Sequence, residues 1–543
     1  MRSAQYDRGA VSADTHVRAA SFARAKKGRR RRKQAEAPAA AVPVRRERIP
    51  PLAKLILASV AVVGLFFAVR ASAPLPWSYD EYYHLGLARE MRSGVRIESF
   101  RWTPFSILFD RFVDSTPLFH LLLMPFATLP LETAGMIGVL LGQVFLVGSF
   151  AWALWSLRVP RPWWFVLALP ALGTLFVQRL EMLRPQVWLI GFSVLVVALL
   201  AERRWRALFV VSALFALTHT GGWIAIPLAV LWCLAGLAAG GEPEERRIPW
   251  QPIAAAAGGW LLGQLVHPEV PANFRLFVIS SFVVPFQSTA AGDAVLRPML
   301  GTEMSPPEWG LLQEQWPAFL AAAIVLFSLV ARPRLRSRAT LTAGLVSLAF
   351  LAVGSLAARR FLELGAPLAL LALALVVREG RDEGLPLPGW GRTAAAVAVA
   401  AAGLWTLGTL RTYGFGVTSP PREMARWLGE RGRAGERVFT VQWADSSPLL
   451  YSAPQLQSLV ALDPTVFYLK DPQLFAIYAG IVAGRDADPA QTIRRRFGAR
   501  WVTVPYNFFR PVASQLAKSP GVQLVYGDRD YAVMDLGPTR TGR

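Results

Sequence analysis

The chain has 543 residues, of which 53% are hydrophobic and only 17% are charged, whereas soluble domains carry roughly a quarter charged residues. Over this length the deficit excludes a soluble enzyme and a disordered protein, and a single cysteine, Cys233, excludes a disulfide framework and a cysteine-ligated metal cluster. The net charge of +22 does not point to nucleic acid: residues 1–49 hold 14 Lys/Arg against 4 Asp/Glu, and much of the remainder falls in short turns between apolar runs. Arginine outnumbers lysine 52 to 6, a ratio read as genome composition bias rather than chemistry.

An apolar run of about 17–25 residues can cross a bilayer as a helix, the one open structure that satisfies its own backbone there. The sequence predicts about eleven such spans, near 52–69, 134–155, 163–178, 186–201, 205–219, 221–240, 251–267, 316–331, 339–356, 361–377 and 391–411. Residues 1–50 form a basic, disordered tail. The first span is not a cleavable signal, because its basic leader is too long and no small-residue cleavage site follows. Lys and Arg concentrate in cytoplasmic loops, which places the tail, with Lys26, Lys27 and Arg29 to Lys33, in the cytoplasm. Arg158/Arg161, Arg203/Arg204/Arg206, Arg246/Arg247, Arg332/Arg334/Arg336/Arg338 and Arg378/Arg381/Arg392 then all fall inside, provided that 117–131 does not cross. That stretch, PLFHLLLMPFATLPL, is short, contains three prolines and carries His120, so an interfacial or re-entrant helix is expected.

This orientation collects loop 70–116, turn 179–185, the turn at His219, loop 268–315 and Arg359/Arg360 on the far face. Segment 412–543 also lies there. Its runs RVFTVQ, ARWVTV, QLVY and YAVMDL read as strands, the last two joined by the hairpin signal Gly527-Asp528-Arg529-Asp530, and helical stretches near 421–431, 472–483 and 489–497 alternate with them. The expected organisation is therefore a polytopic α-helical membrane unit, 51–411, followed by an extracytoplasmic α/β domain, 412–543.

The loop after the first span reads Trp77-Ser-Tyr-Asp80-Glu81-Tyr82-Tyr83-His84, continuing to Ala88-Arg89-Glu90-Met91-Arg92-Ser93-Gly94. Adjacent carboxylates ringed by aromatics at a membrane surface suit a general base, although a solvated juxtamembrane loop has the same composition. The pattern Asp-Glu-x-Tyr followed by Ala-Arg-Glu-Met-x-Ser-Gly resembles the first outer loop of the GT-C superfamily of glycosyltransferases, nearest the aminoarabinose transferase and protein mannosyltransferase branches. Asp114-Ser-Thr-Pro117-Leu-Phe-His120 resembles the next motif of that superfamily. The resemblance implies a GT-C-like fold and an inverting enzyme that moves a sugar from a polyprenyl-phosphate carrier to a lipid, glycan or protein acceptor. It implies a far-face site in a bacterial inner membrane, serving envelope biogenesis. Carried over, Asp80 is the catalytic base, and Glu81 orients the acceptor or binds a cation. The lysine that the aminoarabinose branch has before the motif's proline is absent: Ser115 and Thr116 stand there, which puts that substrate in doubt.

A departing phosphate needs a fixed cation or a metal. Arg111, Arg184, Arg275, Arg297, Arg359 and Arg360 lie on the far face, and Arg184, Arg359 and Arg360 stand out as exceptions to the positive-inside trend. With His84, which is one turn from Asp80 if that segment is helical and is otherwise a solvated surface histidine, and with His219 and His267, these three arginines make the candidate substrate-binding set. Arg184 can equally pair with Glu181 one turn away, and Arg359 and Arg360 can snorkel to the interface. His84, His120, His219 and His267, with Asp80 and Glu81, are an alternative set of ligands for a divalent cation, although their spacing matches no local metal motif and separate interfacial histidines have the same pattern. Arg89 is expected to cap or tether its helix and is given no chemistry. Loop 268–315 is expected to cover the donor's lipid, to gate the acceptor, or simply to hug the membrane. Two other readings remain, a transporter or flippase of lipid-linked glycans and a non-catalytic envelope assembly protein. Neither nucleic acid nor a further cofactor is expected.

Overall fold

The computed structural model of the chain describes residues 49–538, apart from 73–77, 95–96, 240–248, 333–334, 336, 386–388, 413–420 and 462. The expected basic tail, except its last two residues, lies outside the described residues, as do Trp77, Arg246, Arg247, Arg334 and Arg336.

In chain order the principal helices are α1 (Pro51–Ala71), α2 (Tyr79–Arg92), α3 (Pro117–Leu123), α4 (Leu131–Ser156), α5 (Thr174–Leu180), α6 (Gln186–Ala201), α7 (Trp205–Thr218), α8 (Ala225–Ala238), α9 (Gln251–Leu265), α10 (Trp316–Ala331), α11 (Arg338–Leu356), α12 (Leu362–Asp382) and α13 (Gly389–Thr412). Among the described residues, six helical segments are long and apolar enough to cross a membrane: Pro51–Ala71, Leu131–Ser156, Thr220–Ala238, Arg338–Leu356, Arg359–Asp382 and Gly389–Leu410. The chain is a multi-pass membrane protein by this measure. α6, α7 and α10 are shorter apolar helices.

The expected span 163–178 is not one helix. Trp163–Leu167 stops before Pro170, and α5 starts only after Gly173, which has φ +117°. Proline lacks the donor a helix needs, and an L side chain is strained at that φ. A Cβ at Gly173 would also lie 2.4 Å from Gln315 Oε1. Segment 117–131 forms only α3 and one further turn, Met124–Phe126, before Pro130 caps α4. Seven residues of helix are roughly 10 Å long, too short to cross.

Side-chain patterning explains the packing. On α1 the stripe Leu55, Ala58, Val62 and Phe66 is buried, while Leu52, Ile56, Leu57 and Val60 face outward, a one-sided helix with an apolar outer face. α12 is buried along most of its length against α10 and α11, and Pro367 sits inside it. Where apolar surface cannot drive helices together, small residues bring them close. α9 crosses α7 through Gly259 and Gly263, where a Cβ would lie 2.1 Å from the Phe209 carbonyl oxygen and 2.6 Å from that of Ala213.

Residues 421–538 build a four-stranded sheet, β1 (Val438–Thr440), β2 (Trp501–Val504), β3 (Gln523–Gly527) and β4 (Ala532–Asp535), in the order β1-β2-β4-β3. β1 and β2 are parallel, and the other pairs are antiparallel, with an irregularity between Leu524 and Tyr526. Asp528 closes the β3–β4 hairpin by accepting from the Asp530 and Tyr531 backbone N–H groups. Phe439, Phe467, Phe475, Tyr478, Phe497 and Val502 form the core between the sheet and its helices.

This region is seated directly on α2. Gly86 packs against Leu450 and Tyr451. The Arg89 guanidinium stacks on the Tyr451 ring, 4.4 Å from its centroid, and donates to its carbonyl; the tether expected of Arg89 is formed here. The Tyr79 and Tyr531 hydroxyls lie 3.0 Å apart, and Tyr531 donates to the buried Asp445 carboxylate. The N-terminal turn of α2 is thus held between the membrane helices and the sheet.

Candidate functional site

α2 has Asp80 and Glu81 in its first turn and Arg89 and Arg92 in its last, the arrangement the helix dipole favours. The helical repeat sets Asp80 and His84 on one face and turns Glu81 away. Glu81 is buried and meets Arg70, the last-turn arginine of α1, whose Nη2 donates to both its carboxylate oxygens at 2.9 and 3.3 Å. This pair fixes α2 on the end of α1. The adjacent acids therefore have different surroundings.

Asp80 is 30% exposed and lies 2.6 Å from Arg184 Nε through its Oδ2. Arg184 Nη1 also donates to Glu303 Oε2 at 2.7 Å. Arg179 grips Glu363 with two bonds of 2.7 Å and reaches the same Glu303 oxygen at 3.2 Å. A continuous ionic chain results: Asp80, Arg184, Glu303, Arg179, Glu363. It joins α2, α5 and its following turn, loop 268–315 and α12. Arg184 turns to Asp80 and Glu303 rather than to Glu181, which accepts from Gln143 Nε2. Burial alone would raise the Glu303 proton affinity, but Arg184 and Arg179, with Arg360 beyond them, outweigh it and hold the carboxyl well below its ordinary range.

The other predicted residues lie around this chain. Arg360 is close enough to act on Glu303, His219 and Asp463, and its Nη1 lies 3.0 Å from Met304 Sδ. Arg359 points elsewhere, half-buried, and donates to Thr302 Oγ1. His219 is buried, and its Nδ1 accepts from the Gly221 N–H at 2.7 Å. His267 donates from Nε2 to the Asp114 carbonyl at 3.0 Å, and its Nδ1 lies 3.1 Å from Glu269 Oε2. His84 is bonded through Nδ1 to His120 Nε2 at 2.7 Å. Burial first, then the proximity of His120, Arg184 and His219, pushes the His84 ring well below its ordinary pKa, so it is neutral near pH 7. Asp80, Arg184 and Arg360 are thus drawn to one network through Glu303, His84 and His219 border it, and Glu81, His267 and Arg359 have partners of their own. Among the described residues, no group of three His, Cys, Asp or Glu side chains is placed to hold a metal ion.

Loop 268–315 is ordered. Residues 272–287 are helical, and Leu296 and Leu300 are buried with the core of the C-terminal region. Trp443 Nε1 donates to the Met299 carbonyl, and the Tyr468 hydroxyl donates to Asp293. Glu303 follows on this anchored segment. Sequence reasoning missed it, because the loop holds five acids, Glu269, Asp293, Glu303, Glu308 and Glu314, and no spacing marks this one. Arg179 and Glu363 were visible as charges at helix ends, but their pairing needs the third dimension.

No family model matches the sequence, and no curated protein matches it. Solved structures do match. The oligosaccharyltransferase of Archaeoglobus fulgidus, tethered with an acceptor peptide containing the NVT sequon, is similar with a TM-score of 0.55 at 11% identity, over 86% of this chain and 71% of that one. Its complex with zinc and sulfate gives a TM-score of 0.54 at 12% identity. The chain has the GT-C fold. Two further members of the GT-C superfamily, the arabinofuranosyltransferase AftD from mycobacteria (TM-score 0.49, 16% identity, 89% of this chain and 41% of that one) and ArnT from Cupriavidus metallidurans bound to undecaprenyl phosphate (TM-score 0.38, 14% identity, 90% and 99%), match less well in shape.

Within this GT-C fold the low proton affinity of Glu303 makes its contribution to stability pH-dependent. A carboxyl whose folded pKa lies below its unfolded value stabilises the fold above the unfolded value and loses that contribution as pH falls toward the folded one. The Tm of the wild type in detergent should therefore exceed that of Glu303→Gln at neutral pH, and the gap should narrow as pH falls below the ordinary glutamate value of 4.5. A gap that does not change with pH would contradict the ion-pair assignment.

Proposed function

We propose that this chain is an inverting membrane glycosyltransferase that moves a sugar from a polyprenyl-phosphate carrier to a lipid, glycan or protein acceptor on the far face of a bacterial inner membrane. The observation that carries this reading is the ionic chain at the start of α2: a carboxylate and a cluster of guanidinium groups share one site within a GT-C fold. Glycosyl transfer to a hydroxyl or amine needs both. The carboxylate of Asp80 takes the acceptor's proton as its O or N attacks the anomeric carbon. The bond from that carbon to the carrier phosphate breaks, and the electron pair leaves with the phosphate. A single displacement inverts the centre. Arg184, Arg179 and Arg360 stabilise the charge on the departing phosphate, and a guanidinium fork suits that geometry.

Three carboxylates, Asp80, Glu303 and Glu363, already face the three guanidinium groups. An arriving phosphate must therefore displace one acid or bring a cation with it. Glu363 is held by two bonds and is 3% exposed, whereas Glu303 is 30% exposed and lies on a loop segment. The phosphate takes the place Glu303 fills, which makes loop 268–315 the element that opens for the donor.

The same reading makes 51–411 the membrane unit, with the shorter helices α6, α7, α9 and α10 among about eleven crossings, the N-terminus cytoplasmic and 412–543 extracytoplasmic. The arginine pattern supports this arrangement.

Membranes holding the wild type should transfer label from at least one of a panel of polyprenyl-phosphate sugars, and Asp80→Asn should lower kcat by about 100-fold or more. Full transfer by Asp80→Asn would end the base assignment. Glu303→Gln should lower the donor KM in the same assay, since it removes the group that competes with the phosphate. A large rise in KM would instead place Glu303 on the substrate's side, for example through a divalent cation. In a scan of single cysteines, residues 130–133 should react with an impermeant reagent from the far side and 156–162 only from the cytoplasmic side. Access to 156–162 from the far side alone would show that 117–131 crosses.

A further inference from the structure

His84 is the open end of a buried hydrogen-bonded chain that no part of the mechanism above uses. Asp114 Oδ2 and His120 Nδ1 are 2.7 Å apart, and so are His120 Nε2 and His84 Nδ1. All three residues are buried, His120 completely. With Asp114 ionised and both imidazoles neutral, the partners fix the protons on the two rings. An ionised carboxylate only accepts, so His120 donates from Nδ1. The Nε2 of a neutral His120 is then a lone pair, so His84 donates from Nδ1 and keeps a lone pair on its own Nε2. The far end of the chain is anchored: the Thr116 N–H donates to Asp114 Oδ1 at 3.0 Å, and His267 donates to the Asp114 carbonyl. The rings of Tyr83 and Phe119 meet the His84 ring edge to face, with centroids at 5.2 and 5.0 Å. The orientation of His84 is therefore set by packing and hydrogen bonding together.

Burying a carboxylate behind two imidazoles is costly, and an apolar filling of similar volume would serve a purely structural role at least as well. The position of the chain suggests a use. His84 follows Asp80 by one turn on the same face of α2. The groups acting on it are His120 from α3, Arg184 from the turn before α6 and His219 from the turn before α8, and Arg184 in turn lies against Asp80. Among the described residues, His84 Nε2 makes no hydrogen bond.

We propose that His84 is a second catalytic residue, which takes the acceptor's proton from Asp80, and that His120 and Asp114 are positioning residues that fix its tautomer and hold the proton within the protein. The proposal rests on the glycosyl-transfer reading. The acceptor's O–H or N–H bond breaks, and its electron pair forms the new bond to the anomeric carbon. The proton passes to Asp80 and on to His84 Nε2, the His84 Nδ1 proton moves to His120 Nε2, and the His120 Nδ1 proton moves to Asp114. One proton enters the chain, and one buried negative charge is neutralised. The proton returns to solvent by the reverse route after the product leaves. Asp80 is thereby restored as a carboxylate beside Arg184 while the product is still bound.

The test uses the full chain in detergent or nanodiscs, with transfer measured from about pH 5 to about pH 9 in H2O and D2O. His84→Gln and Asp114→Asn should each lower kcat by about 100-fold with little change in donor KM, added imidazole should restore part of the activity of His84→Ala, and the wild type's multi-proton solvent isotope effect should reduce to a single-proton one in His84→Gln. Variants that keep wild-type kcat, or that lose activity without any change in the isotope effect or in the imidazole response, would overturn the proposal. Because a variant can fail to fold, the wild type labelled with 15N-histidine supplies a second readout: the His84 ring should be neutral at pH 7 with its proton on Nδ1. A proton on Nε2, or an imidazolium, would overturn the relay whether or not sugar is transferred. Failure of the wild type to use any donor would remove the enzymatic reading itself, and the proton-transfer role with it, while the spectrum still reports the tautomer.

Discussion

Everything at the site depends on one guanidinium being shared. Arg184 lies against Asp80 from α2 and against Glu303 from loop 268–315, and without it two carboxylates would face each other in a poorly solvated cleft. Arg184 therefore balances both acids and adds an ionic tie to the contacts that already hold α2 and the loop. Arg179 does the same one turn earlier, bonding Glu303 on one side and Glu363 of α12 on the other. The site is therefore assembled by charge balance among elements from distant parts of the sequence.

Charge balance also separates the two adjacent acids. Glu81 is paired with Arg70 in a buried contact that anchors the helix, whereas Asp80, one residue earlier, remains partly open on the opposite side of the pair. The helical repeat alone turns one acid toward the bundle and the other toward the cleft. The same repeat returns to the cleft face at His84.

Much of this was legible in the sequence, for identifiable reasons. Asp80 and His84 are four residues apart, so their common face follows once the segment is helical. Arg184 and Arg360 stood out because they break the cytoplasmic preference of arginine. The strands and the β3–β4 hairpin followed from alternation and the Gly-Asp turn. Other features have no local signature. Glu303 is one of five acids in a long loop, and its importance comes from two arginines more than a hundred residues before it. The break at 163–178 was hidden because hydropathy averages over Pro170 and Gly173, whose effects are stereochemical. The Asp114–His120–His84 chain spans two motifs that were read separately, and only the packing of α3 on α2 joins them.

The contact between Tyr79 and Tyr531 has a consequence for biogenesis. Tyr79 is translated 452 residues before the hydroxyl that meets it, which lies just ahead of β4. The first turn of α2 therefore gains this contact only after residue 531 has been made, and a nascent chain stalled before that point would lack the brace.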